Sequence, residues 1–266
     1  LLDLSGNKIR TTNLDKPLSV TKGKKINFNP SFTNYPKFYQ NININDNVYA
    51  DDSTLHFTVK SIDKNNIELL SHSSGYLKPN KGLHIRGIHK NIPFLFEKDL
   101  EMIDVANTFD IDFIGLSFVR SVDDIIIAKK LINNNIEIIS KVETAAAVEN
   151  IDSILENIDS ILIDRGDLST EVGIENVPYF QNYIIDKALF HNKHVFLATQ
   201  FLKNMENNPI PTIAEIIDLY NTFKKGVYGI QLSEETAIGK YPIECIEYIE
   251  KILSIIQKEK STKQLL

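Results

Sequence analysis

Several residue types that define whole classes of protein are scarce in this sequence. Its 266 residues contain a single cysteine, Cys245, which excludes an internal disulfide framework and fits a reducing compartment. No apolar run approaches the ~20 residues of a membrane-spanning helix. The net charge of −6 argues against nucleic acid as the main partner. The composition therefore leaves a globular domain, with neither nucleic acid nor a membrane as its partner.

Two common site patterns are also missing. No glycine-rich turn follows the first strand of any predicted unit, which makes a dinucleotide site unlikely. The histidines show no metal-ligand spacing, and we interpret all of them as surface or packing residues: His56, His72, His84, His89, His191 and His194.

The sequence divides into two regions with different predicted secondary structure. From about Thr11 to Gly87, short strand-like runs alternate with turns, and the pattern of Leu55 to Val59 predicts half-buried antiparallel strands. From about Pro93 onward, five strand-then-helix units predict a parallel sheet with helices outside it. Their spacing suits a (β/α)8 barrel or a doubly wound sheet. The candidate strands are 111–119, 137–142, 160–164, 194–199 and 229–233.

The opening LLDL adds a sixth strand, two fewer than a closed barrel needs. Either the sheet is open or two strands precede residue 1, and we favour the second interpretation. The chain begins with neither Met nor a signal-peptide pattern, so we expect a trimmed segment. The predicted organisation is a third barrel strand in 1–10, an inserted β-rich domain in 11–87 and the remainder of the barrel in 88–266.

Charged residues follow two neighbouring predicted strands. Lys141 and Glu143 lie on one face at a strand end, where barrel enzymes keep their active sites. Arg165, Gly166 and Asp167 end the next strand. Two carboxylates on adjacent strands suit Mg²⁺, and a lysine beside them neutralises phosphate or a developing anion. A local salt bridge at Glu143 and a helix-capping or turn role for Asp167 remain open alternatives.

A third strand contributes Thr199 at the same rim, although a lone threonine there is often structural. Ser233 and Thr236 lie on the last loop, and Phe118 and Arg120 follow the 111–119 strand. From the residues alone, we predict a parallel α/β barrel with an inserted β module. Its Mg²⁺-assisted site would handle a phosphorylated or carboxylate substrate.

Four motifs then resemble those of pyruvate kinase, in the same order and approximate spacing. They are IISKVE, DRGDLSTEVG, ATQFLKNMENNPIPTIAE and LSEETAIGKYPIE. Upstream, LLDLSGNKIRT, VYADDSTL and KPNKGLHIRG are similar to further segments of that family. The resemblance implies a (β/α)8 TIM barrel, partial in this chain, with a small β-rich lid domain inserted after its third strand. It also implies a regulatory domain after residue 266.

The resemblance implies Mg²⁺-dependent (or Mn²⁺-dependent) phosphoryl transfer from phosphoenolpyruvate to ADP, giving pyruvate and ATP. It further implies K⁺ as a second cation, a homotetramer, and a cytoplasmic location, or an organellar one if a transit peptide was removed. The implied roles are Lys141 and Thr199 in catalysis, Arg165, Gly166, Asp167 and Thr199 in substrate binding, Arg10 and Asp52 near the nucleotide, Glu143 and Asp167 on Mg²⁺, and Asp3 with the Leu4 carbonyl on K⁺.

The chain departs from the family pattern at several positions, which supports a second hypothesis of a catalytically weakened homologue with an assembly or regulatory role. Joint retention of Lys141, Glu143, Asp167 and Thr199 favours an active enzyme. Another barrel enzyme, such as an aldolase, fits the four linked motifs and the lid segment poorly. The departures are Lys8 for Glu, Asp164 for Ala, Ile213 for Arg, Ile238 for Lys, and Ser53, Ser169 and Glu234 for Gly.

Overall fold

The structure is a computed structural model that describes residues 1–51 and 53–263. Within these residues, the strands are β1 (Leu2–Asp3), β2 (Ile9–Arg10), β3 (Leu18–Val20), β4 (Lys25–Phe28), β5 (Asn47–Ala50), β6 (Leu55–Asp63), β7 (Asn66–Ser71), β8 (Gly75–Leu77), β9 (Gly82–Ile85), β10 (Phe113–Leu116), β11 (Glu137–Lys141), β12 (Ser160–Asp164), β13 (His194–Ala198) and β14 (Gly229–Gln231).

The helices lie almost entirely in the second part of the chain. None of the helices in the described part has the length and apolar character needed to cross a bilayer. The α-helices are α1 (Glu97–Ala106), α2 (Val122–Leu131), α3 (Ala145–Glu149), α4 (Ile151–Leu155), α5 (Arg165–Val172), α6 (Val177–Phe190), α7 (Ile213–Lys224), α8 (Glu234–Ala237) and α9 (Pro242–Lys263), and 3-10 turns span Pro30–Phe32, Pro36–Asn41, Ile88–Asn91, Ile174–Asn176 and Lys203–Glu206.

Six parallel strands form the larger sheet, in the order β1, β10, β11, β12, β13 and β14. Each predicted strand segment contains one of them, so the predicted parallel sheet is confirmed. Both faces of the sheet are buried: Ile161 and Ile163 pack in the main core with the helices, while Ile139 and Leu162 form a smaller cluster on the opposite face. Near-continuous Ile and Leu in these strands follow from burial on both sides.

The first part of the chain forms a second, antiparallel sheet in the order β2, β9, β5, β6, β7 and β4, with β3 and β8 paired separately. Leu55, Phe57 and Val59 point into its core while the residues between them are half-buried, as the alternation predicts. Because Ile9 pairs with Leu83, the small sheet takes in Ile9–Arg10, which the predicted boundary gave to the barrel.

Asp99, in the first turn of α1, accepts hydrogen bonds from both segments in which the chain passes between the two sheets. Its Oδ1 accepts a 3.0 Å hydrogen bond from the N–H of Gly6, where the chain leaves β1 for the small domain. Its Oδ2 accepts one of 2.9 Å from the N–H of Phe96, where the chain returns. Gly6 has φ +60°, and a Cβ there would lie 2.7 Å from the Ser117 carbonyl oxygen, so the crossing requires glycine.

Arg120 fastens the returning segment a second time. Its guanidinium donates to the carbonyl oxygens of His89 and Ile92 at 2.6 and 2.9 Å. The same guanidinium forms a bidentate pair with Asp124 on α2. The residues that follow β9 are therefore held against the barrel by both charge and hydrogen bonds.

We expect Asp99→Ala to lower the free energy of unfolding by about 2–3 kcal/mol, because a buried N–H group and a part-buried one lose their acceptor. Asp99→Asn keeps one acceptor oxygen and should cost less than Asp99→Ala. Urea unfolding followed by circular dichroism measures both variants. The exposed Asp104→Ala on the same helix is the matched control, and an equal loss in Asp104→Ala and Asp99→Ala would contradict the anchoring role.

Candidate active site

A cleft of about 710 Å³ lies between the small domain and the carboxyl ends of the parallel strands. Both parts of the chain line it, which places a deep concave surface where barrel enzymes keep their chemistry. The predicted site residues among its walls are Asp3, Leu4, Arg10, Lys141, Gly166, Asp167 and Thr199.

Lys141 ends β11 with its ammonium group almost fully buried beneath the cleft. Its Nζ lies 2.9 Å from Glu143 Oε1 and 3.1 Å from Asp3 Oδ2, and it donates a 3.0 Å hydrogen bond to Ser117 Oγ. Burial alone lowers the pKa of Lys141, but the carboxylates of Glu143 and Asp3 outweigh burial and raise it. Lys141 is therefore a permanent cation at the base of the cleft.

Glu143 is fully buried two residues beyond Lys141. Its Oε2 accepts a 2.8 Å hydrogen bond from the Phe118 N–H, and its Oε1 contacts the Lys141 ammonium. Burial, the largest effect, raises the pKa of Glu143 despite Lys141, and the nearby carboxylates of Asp167 and Asp164 raise it further. The predicted salt bridge between Lys141 and Glu143 is present, but it lies within a larger charge cluster.

Asp167 lies in the first turn of α5 and contacts Lys8, a residue that motif reasoning treated only as a departure. Lys8 Nζ is 2.5 Å from Asp167 Oδ1. Burial alone would raise the pKa of Asp167, but Lys8 and then Lys141 lower it overall. Asp167 is therefore ionised, and the positive charges of Lys8 and Lys141 stabilise its carboxylate.

The helix-capping carboxylate is Asp164, not Asp167 as one alternative proposed. Asp164 Oδ1 accepts hydrogen bonds from the N–H groups of Gly166 and Asp167 at 3.0 and 3.3 Å, and from Thr199 Oγ1 at 3.1 Å. Burial and then the charge of Asp167 raise the pKa of Asp164. The substitution that adds a charge to the site thus provides the N-cap of α5.

Three carboxylates gather at this point of the cleft. One oxygen from each of Glu143, Asp164 and Asp167 lies within 4.8 Å of the others. Carboxylate oxygens in this number are a donor set for a hard divalent cation such as Mg²⁺ or Mn²⁺. The residues present therefore fit the divalent ion that the resemblance implies, with Asp164 as a third donor.

Thr199 ends β13 in a left-handed conformation with φ +68°, followed by Gln200 and Leu202 in the same region. Such a conformation costs a β-branched residue about 1–3 kcal/mol and clusters at functional sites. Arg165 supports this loop, because Nε and Nη2 donate to the Thr199 carbonyl oxygen at 3.1 and 2.7 Å. Its remaining end pairs with Asp218, so the guanidinium predicted to bind substrate is committed to positioning Thr199.

Gly166 lies where a side chain would be crowded, not at a turn. It lies inside α5, and a Cβ there would meet Asp164 Oδ1 at 3.3 Å and Thr199 Oγ1 at 3.5 Å. Its N–H donates to both of these oxygens. Glycine allows the helix start and the β13 loop to share one hydrogen-bond network.

The remaining predicted residues lie at the edges of the cleft. Asp3 ends β1 beside Lys141, and the Leu4 carbonyl oxygen accepts a 2.7 Å hydrogen bond from Ser117 Oγ. Arg10 reaches the cleft from β2. Asp52, predicted near the nucleotide, lies outside the described residues.

The three residues that replace family glycines behave differently. Glu234 begins α8 without a positive φ, and its carboxylate pairs with Lys203 at 3.5 Å, so it carries no left-handed strain. Ser53 does adopt φ +64° and carries that strain. Ser169 fits inside α5, where its Oγ donates to the Gly166 carbonyl oxygen. Ile213 and Ile238 are exposed, and nothing in the structure explains them.

Sequence reasoning missed the packing around Glu171. Glu171 lies within 3.0 Å of His84 and accepts from the Ala145 N–H. His84 and Glu171 are 87 positions apart, so local spacing carried no signal of this contact.

Substituting Asp164 tests its capping role. Asp164→Ala should lower the free energy of unfolding by about 1 kcal/mol, because the first N–H groups of α5 lose an acceptor. Asp164→Asn retains an acceptor oxygen and should cost clearly less. Thermal or urea unfolding of the two variants gives the comparison, and equal losses would show that the charge of Asp164, not its cap, supports the helix.

Comparisons with known proteins agree with this geometry. The family model for the barrel domain of pyruvate kinase matches residues 1–246. Pyruvate kinases from Geobacillus stearothermophilus and Sporosarcina psychrophila are 34% and 36% identical to the chain, each over 95% of the chain and 46% of the relative. The crystal structure of pyruvate kinase from Pyrobaculum aerophilum superimposes with a TM-score of 0.85 at 29% identity, covering 95% of this chain and 59% of that one.

The predicted fold class and resemblance are confirmed by these matches. The chain spans about half the length of the curated relatives that it matches. The strand order of the large sheet, the inserted β domain and the positions of the motifs all agree with these matches. The chain therefore belongs to the pyruvate kinase family.

Proposed function

We propose that this chain provides the catalytic barrel and lid of an active pyruvate kinase, which transfers a phosphoryl group from phosphoenolpyruvate to ADP and yields pyruvate and ATP. The observation that carries the proposal is that Lys141, Asp167 and Thr199 converge from three strand ends on one cleft, with the buried Glu143 in contact with Lys141. The shape and charge of this site suit an anionic substrate held with a divalent cation.

Phosphoryl transfer asks a protein mainly to position its reactants and to neutralise charge. The buried Lys141 ammonium provides a fixed positive charge for the transferring phosphoryl group and for the enolate left behind. Its three polar contacts hold the ammonium in place, so little reorganisation is needed during the reaction. Thr199 lies at the rim, where the enolate methylene would take up a proton, and its hydroxyl is held by hydrogen bonds with Asp164 and Gly166.

Glu143, Asp164 and Asp167 would hold the divalent cation. When bound, this cation supplies Lewis-acid neutralisation of the phosphoryl and carboxylate oxygens. Lys8 keeps Asp167 ionised in the absence of the cation.

The nucleotide and the monovalent cation complete the proposal. Arg10 on the small domain lines the same cleft, where a cationic side chain suits the ADP phosphates. The Asp3 carboxylate and the Leu4 carbonyl are the oxygen donors proposed for K⁺, and assays with and without K⁺ address them. A homotetramer and a cytoplasmic location are parts of the proposal that rest on the family alone.

One observation favours the second candidate, a catalytically weakened homologue with an assembly or regulatory role. The N–H of Gly166, a residue predicted to bind substrate, already donates to Asp164 Oδ1 and Thr199 Oγ1. The adjacent Asp167 N–H also donates to Asp164. An anionic substrate would meet the Asp164 carboxylate at that position, and like charge opposes binding.

The direct test of activity is pyruvate formation from phosphoenolpyruvate and ADP with Mg²⁺. We expect turnover in the natural protein and a loss of about 100- to 1000-fold or more in Lys141→Met, because a preorganised charge is removed. The exposed Lys130→Met on α2 is the matched control and should retain activity.

Absence of turnover in a folded protein would refute the active enzyme. Restoration of turnover by Asp164→Ala would then identify the capping carboxylate as the cause. Equal turnover in Lys141→Met and the natural protein would instead show that the activity does not use this site.

Divalent-cation binding tests the carboxylate cluster independently of turnover. Titration of Mn²⁺, followed by the loss of the free-ion electron paramagnetic resonance signal, should show binding in the natural protein. We expect Glu143→Gln to weaken it by about tenfold or more, because one donor charge is lost. Glu149→Gln, exposed on α3, is the control, and unchanged affinity in Glu143→Gln would contradict the assignment.

A further inference from the structure

A second cluster of metal-binding side chains lies between the small domain and the barrel, apart from the three carboxylates of the cleft. It comprises His84 on β9, His89 in the following 3-10 turn and Glu171 near the end of α5. All three residues are buried, and one ligand atom from each lies within 4.8 Å of the others. Two imidazoles and a carboxylate form a donor set that transition metals prefer to Mg²⁺.

The hydrogen bonds of His89 leave one ring nitrogen available. Its Nδ1 lies 2.8 Å from the Asn7 side-chain oxygen, which accepts a proton but cannot donate one. The proton therefore sits on Nδ1, and Nε2 carries a lone pair. That Nε2 is buried without a hydrogen-bond partner, which is costly unless another group uses it. A carbonyl oxygen behind the distal nitrogen is the usual support of a metal-bound histidine.

We propose that His84 Nε2, His89 Nε2 and one carboxylate oxygen of Glu171 bind a Zn²⁺ ion, with water in the fourth position. Zinc–ligand bonds of about 2.0–2.1 Å place neighbouring ligands of a tetrahedron about 3.3 Å apart. His84 Nε2 and Glu171 Oε1 are already 3.0 Å apart, without the geometry of a hydrogen bond between them. The third ligand atom, from His89, lies within 4.8 Å of the other two, so binding requires the His89 ring to come closer to them.

Two backbone N–H groups hold the Glu171 carboxylate in position. Glu171 Oε2 accepts from the Ala145 N–H at 3.1 Å, and Oε1 accepts from the Gly87 N–H at 3.4 Å. Ala145 belongs to the barrel, whereas Gly87 lies two residues beyond the end of β9. A bound ion would link the returning strand of the small domain to the helix that carries Asp167, and so would clamp the two parts together.

Co²⁺ is the spectroscopic probe for this site. The full chain is titrated with Co²⁺ in excess Mg²⁺, which occupies the oxygen donors of the cleft. We expect one Co²⁺ per chain with the intense visible bands of a four-coordinate ion, displaced by Zn²⁺. His84→Ala and His89→Ala should each weaken binding by about tenfold or more. His72→Ala, on the exposed face of the small domain, should leave the bands unchanged.

X-ray absorption of the Zn²⁺-loaded natural protein gives a result that does not depend on any variant folding. Two imidazole ligands and one carboxylate would support the site. Absence of the intense cobalt bands, a zinc shell of oxygen atoms only, or unchanged affinity in folded His84→Ala and His89→Ala proteins would overturn it. None of these measurements uses turnover, so failure of the zinc site can be distinguished from failure of the proposed kinase activity.

Discussion

The buried ammonium group of Lys141 organises the centre of this molecule. A cation removed from water must be surrounded by compensating charges and acceptors. Glu143, Asp3 and Ser117 meet this need from the ends of three parallel strands or the residues just beyond them, so one charge fixes their relative positions. Glu143 in turn accepts from the backbone of Phe118, which is held in a left-handed conformation. The contacts that hold these strand ends together therefore also fix the charges of the site.

Much of this arrangement was predictable from the sequence because parallel strands align their carboxyl ends. Apolar runs of Ile and Leu revealed the buried strands, and the polar residue ending each run revealed the rim. Lys141 and Thr199 were identified in this way without reference to any relative. The two-residue periodicity of Leu55 to Val59 likewise predicted the inward and outward faces of the small sheet.

Other features depend on contacts that no local pattern encodes. Asp164 stood out in the sequence only as a departure from the family pattern, yet it caps α5 and accepts a hydrogen bond from Thr199 on the adjacent loop. Lys8 reaches Asp167 across 159 positions, and the relation of His84 to Glu171 likewise arises only when the small domain packs on the barrel. Side-chain commitments such as that of Arg165 to a carbonyl oxygen also require the folded loop. Motifs locate residues at a rim, but three-dimensional packing decides which atoms remain free.

The two anchored crossings have a mechanical consequence. Asp99 accepts hydrogen bonds from Gly6, where the chain enters the small domain, and from Phe96, where it returns to the barrel. Arg120 donates to the carbonyl groups of His89 and Ile92 in the returning segment. Both ends of the inserted domain are thereby pinned on the barrel side. Because one carboxylate holds both crossings, loss of Asp99 would loosen the entry and the exit of the inserted domain together. Lys141, Glu143 and Asp167 lie on the barrel side, whereas Arg10 and the Lys8 that contacts Asp167 follow the Gly6 crossing. The placement of the inserted domain therefore also sets the charges that face the cleft.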